Sequence, residues 1–315
     1  MAPVVFLHDP DVRLFHGDAL ETLQRLPASS VNQVVTSPPF WQLRDYLVEG
    51  QIGLESSPAE YVETLTWVFH ECRRVLKPEG TLWVEMEDSH AGSGKGPGGS
   101  DKQRSNPGSL SVTGTPKMGH IKPKDLIGLP WTLALALRED GWYLRQCMIW
   151  HKPDAMPESF GTSEPDRCTT DHSYIFMFAA RRTYYFDADA LRTPYITDGR
   201  TKTTVKQGEG SIQHRDGERW PNPKGANART VWKVSSDNNP GPHYATWPLK
   251  LAKRMILAGC PECGTVLDPF MGSGTTALAA RELGRKAIGI ELSPTFLEMA
   301  SRRLGQQSLF AQESA

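Results

Sequence analysis

Thr36-Ser37-Pro38-Pro39-Phe40 puts a hydroxyl, two rigid imino acids and an aromatic ring into one short stretch. The prolines fix their own φ and cannot continue a β-ladder, so the chain must leave a strand here. The carbonyls of Ser37 and Pro38 are then held in set directions beside the flat face of Phe40. Acceptors next to a stacking surface suit a planar ring that carries an amino group. Taken alone, the same residues also describe a proline-rich turn with a core phenylalanine.

A second cluster lies far down the chain. Thr265-Val266-Leu267 runs as a strand into Asp268-Pro269-Phe270-Met271-Gly272-Ser273-Gly274-Thr275-Thr276, and a helix follows to Leu283. A further strand, Ala287 to Ile290, ends in Glu291. The two glycines permit a tight turn and close ligand approach, and the helix start at Thr275 presents unpaired N–H groups. An acid ending the next strand can accept hydrogen bonds from both hydroxyls of a ribose. Strand, glycine turn, helix, strand and acid together point to a nucleoside cofactor. The spacing also satisfies G-x-G-x-x-A, which keeps NAD open on these residues alone.

These clusters need strands and helices to hold them. Val31 to Val35, apolar at Val31, Val34 and Val35, reads as the buried strand feeding Ser37. Val12 to Phe15 reads as another, followed by His16-Gly17-Asp18 and a helix through Leu20, Leu23 and Leu26; Asp18 fits there as the helix N-cap. Tyr61 to Leu76 has helical spacing, Lys77-Pro78-Glu79-Gly80 stops it, and Thr81 to Glu85 is a buried strand. Helix, turn and strand in that rhythm predict parallel crossovers. Leu126 to Arg138 reads as a helix, Tyr143 to Trp150 and Tyr174 to Ala180 as strands, and Thr246 to Ala258 as a helix.

The 315 residues, 23% charged and 38% hydrophobic, are those of an ordinary soluble chain. No apolar run approaches the ~20 residues of a membrane span, and Met1 to Pro10 lacks a signal-peptide pattern, so the expectation is a cytoplasmic protein without membrane contact. Five scattered cysteines argue for reduced thiols. Cys260 and Cys263 form one C-x-x-C without a second ligand pair, so no metal is expected. The net charge of −1 gives no global bias towards nucleic acid. Two segments are locally basic. In the first, about 89–124, Lys95, Lys102, Arg104, Lys117, Lys122 and Lys124 face Asp101, and the composition is that of a mobile loop. Gly94-Lys95 is not a phosphate loop, because Gly96 stands where Ser or Thr is needed. The second, between Arg200 and Lys233, is polar and includes Arg215, Arg219 and Lys224.

Together, T-S-P-P-F at 36–40 and D-P-F-M-G-S-G-T-T at 268–276 resemble the catalytic and S-adenosylmethionine motifs of amino-group DNA methyltransferases. Their order resembles the β group of that family. Phe15-His16-Gly17-Asp18 is similar to the segment where an acid meets the cofactor adenine, and Leu76 to Leu82 to the turn into the fifth strand. His243-Tyr244-Ala245-Thr246-Trp247-Pro248 is similar to the segment that holds the methionine end. The resemblance covers most of the chain outside the basic segments.

It implies an α/β class I, Rossmann-like methyltransferase fold: a seven-stranded, mostly parallel sheet, circularly permuted, with inserted basic loops. Residues 1–190 would form the catalytic part, 191–230 a small target-recognition insertion, and 231–315 the cofactor part of the same domain. The implied cofactor residues are Asp18, Thr36, His243, Thr246, Trp247, Pro248, Asp268, Pro269, Phe270, Gly272, Ser273, Gly274, Thr275, Thr276 and Glu291. Ser37, Pro38, Pro39 and Phe40 would be catalytic. Trp41, Arg44, Trp150, Lys152, Arg215, Arg219 and Lys224 are the expected substrate contacts, with Trp41 and Trp150 equally readable as core tryptophans.

The implied reaction moves a methyl group from S-adenosylmethionine to an exocyclic amine of a flipped base in double-stranded DNA, without a covalent intermediate. Ser at the first motif position is associated in the family with cytosine N4, Asp or Asn with adenine N6, so N4 is expected and N6 is the alternative. Cytosine C5 chemistry needs a Pro-Cys nucleophile, and no cysteine here follows a proline. An NAD-dependent oxidoreductase would leave Ser37-Pro38-Pro39-Phe40 unexplained. A protein or RNA amino-group methyltransferase, or a DNA-binding module without catalysis, are the other competing readings. The implied setting is restriction-modification or epigenetic marking; the group includes homodimers and enzymes paired with a restriction endonuclease, and the sequence leaves both open for this chain.

Overall fold

The computed structural model describes residues 4–91, 117–155, 166–195, 224–236 and 247–313. The expected basic segment at 89–124 and the insertion at 191–230 fall largely outside them.

In chain order the elements are β1 (Val4–His8), β2 (Val12–His16), α1 (Ala19–Arg25), β3 (Val31–Thr36), α2 (Pro58–Val75), β4 (Leu76–Met86), α3 (Leu129–Glu139), β5 (Tyr143–His151) and β6 (His172–Ala179). There follow β7 (Val231–Lys233), α4 (Leu249–Gly259), β8 (Thr265–Asp268), α5 (Thr275–Glu282), β9 (Lys286–Glu291) and α6 (Pro294–Glu313). They build one sheet in the order β1-β2-β9-β8-β3-β4-β6-β5-β7. The expected seven strands are there, from β2 to β5, and each edge carries one more. β1 adds an antiparallel hairpin partner to β2, and β7 adds a parallel strand to β5. β7 is three residues long, too short for a hydrophobic period to mark it.

The permutation is visible in the pairing. β2 lies parallel to β9, β9 to β8, and β8 to β3, so the two C-terminal strands are inserted as a pair between β2 and β3. β3 is buried at all six positions, as a strand covered on both faces must be. Helices α1, α2 and α3 cover one face, around Leu23, Leu65, Phe69, Leu133 and Phe178. Helices α4, α5 and α6 cover the other, around Trp83, Met255, Ile256, Leu278 and Leu297.

Local chemistry fixes the boundaries. Asp18 caps α1, its carboxylate accepting from Glu21 N at 2.9 Å. Ser57 does the same for α2 through Glu60 N. α2 passes straight into β4 at Leu76, so the Lys77–Gly80 segment, expected as a stop, is the first part of the strand. Helix α3 has Gly128, φ +81°, at its N-cap position, and the capping side chain comes from another segment. The Asp88 carboxylate accepts from the N–H groups of Gly128 and Leu129.

Candidate active site

Because β8 and β3 are parallel neighbours, their C-terminal ends meet at one edge of the sheet. A cleft opens there, where ligands bind in open α/β sheets. Its walls come from four places: Gly17, Asp18 and Ala19 after β2; Ser37 to Phe40 and the loop on to Ile52; Pro269, Phe270, Gly272 and Ser273 after β8; and Ile290 to Ser293 with Phe296 after β9.

The glycine turn is shaped as its residues require. Gly272 and Gly274 have φ of +54° and +82°. At Gly272 an added Cβ would meet nothing within 4 Å, so the turn is open on the cleft side. At Gly274 a Cβ would stand 2.9 Å from the Ala300 Cβ, which makes glycine a packing requirement there. Glu291 ends β9 and turns back over this turn. Its Oε2 accepts from Gly272 N at 2.7 Å and its Oε1 from Ser293 N at 2.8 Å. Burial drives its carboxyl up to about 7 against those two hydrogen bonds. Each oxygen retains a second lone pair, so the buried acid facing the cleft can still accept the two hydroxyls of a ribose.

Asp268 is 3% exposed and faces inward rather than into the cleft. Its Oδ1 accepts from Thr36 Oγ1 at 2.6 Å and from Phe270 N, and its Oδ2 accepts from Thr276 Oγ1. Burial raises this carboxyl to about 6. Thr36, Asp268 and Thr276 therefore brace the two turns from beneath. Gly274 and Thr275 belong to the base of α5, and Thr275 Oγ1 accepts from Arg303.

Ser37, Pro38, Pro39 and Phe40 all line the cleft, as does Arg44. The Pro39 carbonyl is held from behind by the fully buried Tyr61, whose hydroxyl donates to it at 2.8 Å. The following loop is tied by Gln42 N to Gly53 O and by Tyr46 N to Gln51 Oε1 at 2.6 Å. Tyr46 also meets Phe296 edge to face, 5.6 Å between centroids, and both line the cleft with aromatic carbon.

Sequence reasoning missed Glu85. It lies one residue before the end of β4, 3% exposed, and Ser37, which follows Thr36, comes level with it because Thr36 pairs with Val84. Burial raises this acid, while Lys152 and the hydroxyls of Ser37 and Ser173 favour its charge. An acid inside the otherwise apolar run Leu82 to Met86 was the available signal. Tyr46 and Phe296 carried none, since loop and helix aromatics are ordinary.

Several expected contacts lie elsewhere. Trp41 is 5% exposed and donates its Nε1 to Glu55 O, and Trp150 is 5% exposed and donates to Val234 O; both are core tryptophans. Lys152 is drawn inward, paired to Glu87 at 2.7 Å over the Trp150 ring. Lys224 pairs with Asp189 at 2.6 Å. Trp247 packs with the α4–α6 core and Pro248 caps α4, so neither lines the cleft. Asp18 reaches the cleft wall with one oxygen already used as cap. His243, Thr246, Arg215 and Arg219 lie outside the described residues. Among the described residues no group of three His, Cys, Asp or Glu is placed to hold a metal ion, and no helix is long and apolar enough to cross a membrane.

Comparison with known proteins agrees with this geometry. A DNA methylase family model, N6/N4 type, matches residues 31–302. The type II methyltransferase M.Cfr9I of Citrobacter freundii is 41% identical over 291 residues, 92% of this chain and 87% of its own length. M.SmaI of Serratia marcescens is 39% identical over 292 residues, covering 93% and 90%. The cytosine-N4-specific PvuII DNA methyltransferase shares the fold at 18% identity, with a TM-score of 0.62 over 92% of this chain and 85% of its own. TTHA0409 of Thermus thermophilus, described as a DNA modification methylase and complexed with S-adenosyl-L-methionine, is 25% identical with a TM-score of 0.56, covering 93% of both chains. With the family's two motifs meeting at one cleft and the match running through nearly the whole sheet, this chain belongs to the N6/N4 DNA methylase family and is an S-adenosylmethionine-dependent DNA methyltransferase.

Proposed function

We propose that this chain methylates the exocyclic N4 amine of a cytosine flipped out of double-stranded DNA, as the modification partner of a type II restriction system. The observation that carries the reading is the position of Ser37 and Pro38 on the cleft wall beside the glycine turn and Glu291. S-adenosylmethionine, when bound, supplies an electrophilic methyl group on a sulfonium centre. Gly272, Ser273, Glu291, Asp18 and Phe270 are the residues proposed to hold it, with the Glu291 carboxylate on the ribose hydroxyls.

The chain's own contribution is positioning and hydrogen bonding. An exocyclic amine is a poor nucleophile because its lone pair is delocalised into the ring. Ser37 Oγ and the Pro38 carbonyl accept its two N–H bonds and turn the nitrogen towards tetrahedral geometry, which localises that pair. Glu85 orients Ser37 by taking the hydroxyl proton in a hydrogen bond, leaving the oxygen lone pairs for the amine. Phe40 stacks on the extruded base and offsets part of the few kcal/mol that flipping costs. Among the described residues no cysteine lines the cleft, which supports direct transfer over a thiolate adduct. Ser37, a neutral acceptor, favours cytosine over adenine.

The test is incubation with labelled S-adenosylmethionine and unmethylated genomic DNA, followed by nucleoside mass spectrometry. N4-methylcytosine is the expected product. N6-methyladenine would overturn the choice of base, and an absence of any methylated nucleoside would overturn the reaction.

A further inference from the structure

The ends of β6, β5 and β7 bring three basic side chains into one row. His172 pairs in register with His151 across the antiparallel β5–β6 ladder, and His151 pairs with Lys233 across the parallel β5–β7 ladder. In-register partners project from the same face of a sheet, about 4.8 Å apart per strand. The row stands on the edge that carries the cleft. Thr36 is level with Val84, Met86 with Tyr174, and His172 is two residues further out, so the row rises about 13 Å above the floor of the active site. It begins two strands to the side of Ser37 and spans about 10 Å.

The row is rigid. Lys152 N donates to Asp171 O at 2.7 Å and Val234 N to His151 O at 3.2 Å, so the strand ends are tied together. Asp171 sits between the imidazoles, 3.2 Å from His172 Nδ1 and 3.5 Å from His151 Nε2, and fixes both rings. The other nitrogen of each ring makes no hydrogen bond among the described residues, both rings are about a third exposed, and Lys233 is exposed. The mechanism uses none of them. With Asp171 taking one N–H of each ring, the outward nitrogens of His151 and His172 donate only from the imidazolium form, so a polyanion passing over the cleft would meet Lys233 and, in that form, two further donors; DNA presents a phosphate charge for every ~1.7 Å of its axis.

We infer that the row His172–His151–Lys233 is a ledge that grips the phosphate backbone of the duplex beside the target base. This rests on the proposed reading of DNA as substrate. Phosphate contacts set register and orientation and carry no base information. The ledge therefore fixes how the duplex lies over Ser37 while other residues choose the sequence.

Two variants test it: Lys233→Gln, at an exposed strand end, and the double change His151→Gln with His172→Gln. Affinity for a cognate and an unrelated duplex is measured across a salt series, alongside S-adenosylmethionine binding as the check on folding. The expected result for each variant is a loss of about three- to tenfold that is equal for both duplexes, with cofactor affinity unchanged. Lys233→Gln should also make the salt slope shallower by about one. Wild-type affinity and slope in both variants, or a loss confined to the cognate duplex, would overturn the ledge. Wild-type protein that neither binds nor methylates DNA would instead overturn the substrate reading beneath it.

Discussion

Thr36 Oγ1 donates to Asp268 Oδ1 at 2.6 Å, and this one hydrogen bond joins residues 232 apart in the chain. Each ends a strand, and the strands are neighbours. Ser37 follows Thr36 and the glycine turn follows Asp268, so the brace sets the distance between the proposed amine acceptors and the glycine turn. Thr36→Val keeps the shape and removes the donor. With the site wholly buried it should cost about 1–3 kcal/mol by denaturant unfolding. Methyl transfer should also fall in protein that is fully folded. Wild-type stability and rate in this variant would show that the brace is idle.

Asp268 and Glu291 predict an unusual pH response. Both carboxyls are raised by burial, to about 6 and about 7. Ordinary unfolded values are near 4, so between about pH 4 and 7 the folded state holds protons that the unfolded chain has released. Stability must then fall as pH rises through that window, by up to about 3 kcal/mol per group. Asp268→Asn should flatten its share of the fall. Urea midpoints taken from pH 5 to 8 give the check, and a midpoint that rises over this range in wild type but not in Asp268→Asn would contradict the assignment.

Glu291 should impose a matching trend on the cofactor. Only the ionised carboxylate accepts from both hydroxyls, and in the free protein it is half protonated near pH 7. S-adenosylmethionine affinity should climb towards pH 8, with a slope approaching tenfold per unit well below 7. Glu291→Gln should lose about 10–100-fold in affinity, as expected for hydrogen bonds to a charged group, and its affinity should not vary with pH over this range. Calorimetric titration of both proteins at three pH values separates the outcomes.

The sheet was legible because its central strands are buried on both faces and read as mainly apolar runs, as Tyr174 to Ala180 does, and as Val31 to Val35 does despite the buried Asn32 and Gln33. The edges were not. β1 has Val4, Val5 and Phe6 exposed, so no burial pattern marks it, and β7 is too short to show a period. The motifs located the cleft, but a motif does not say which way a side chain faces. Asp268 and Thr36 turn inward as a brace, and Trp41 and Trp150 serve the core. Glu85 escaped notice because its partner, Ser37, comes from another strand, and pairing across strands is a property of the fold.

The two turn glycines should respond differently to alanine. Both have positive φ, which costs an alanine about 1 kcal/mol. At Gly272 nothing else opposes the methyl, whereas at Gly274 it would collide with Ala300 in the packed base of α5 and α6. Gly274→Ala should therefore lower stability by about 1–3 kcal/mol more than Gly272→Ala. Gly272→Ala should act mainly on the cofactor, because Gly272 lines the cleft and its methyl meets no other part of the protein. Equal thermal midpoints for the pair would mean that the Ala300 contact yields freely.

Ser37 and Glu85 divide one task, and their variants should show it. Ser37→Ala removes the acceptor proposed for the amine, so methyl transfer should drop by at least about 100-fold while cofactor affinity stays at the wild-type level. Glu85→Gln leaves Ser37 in place but offers an amide where a buried carboxyl faced the hydroxyl. The loss should be smaller, about 10-fold, and should fall on kcat rather than on KM for either substrate. In the double variant the two losses should not add, because Glu85 acts only through Ser37. Additive losses would give Glu85 an independent role, and a collapse of cofactor binding in Ser37→Ala would make Ser37 part of the scaffold instead of the chemistry.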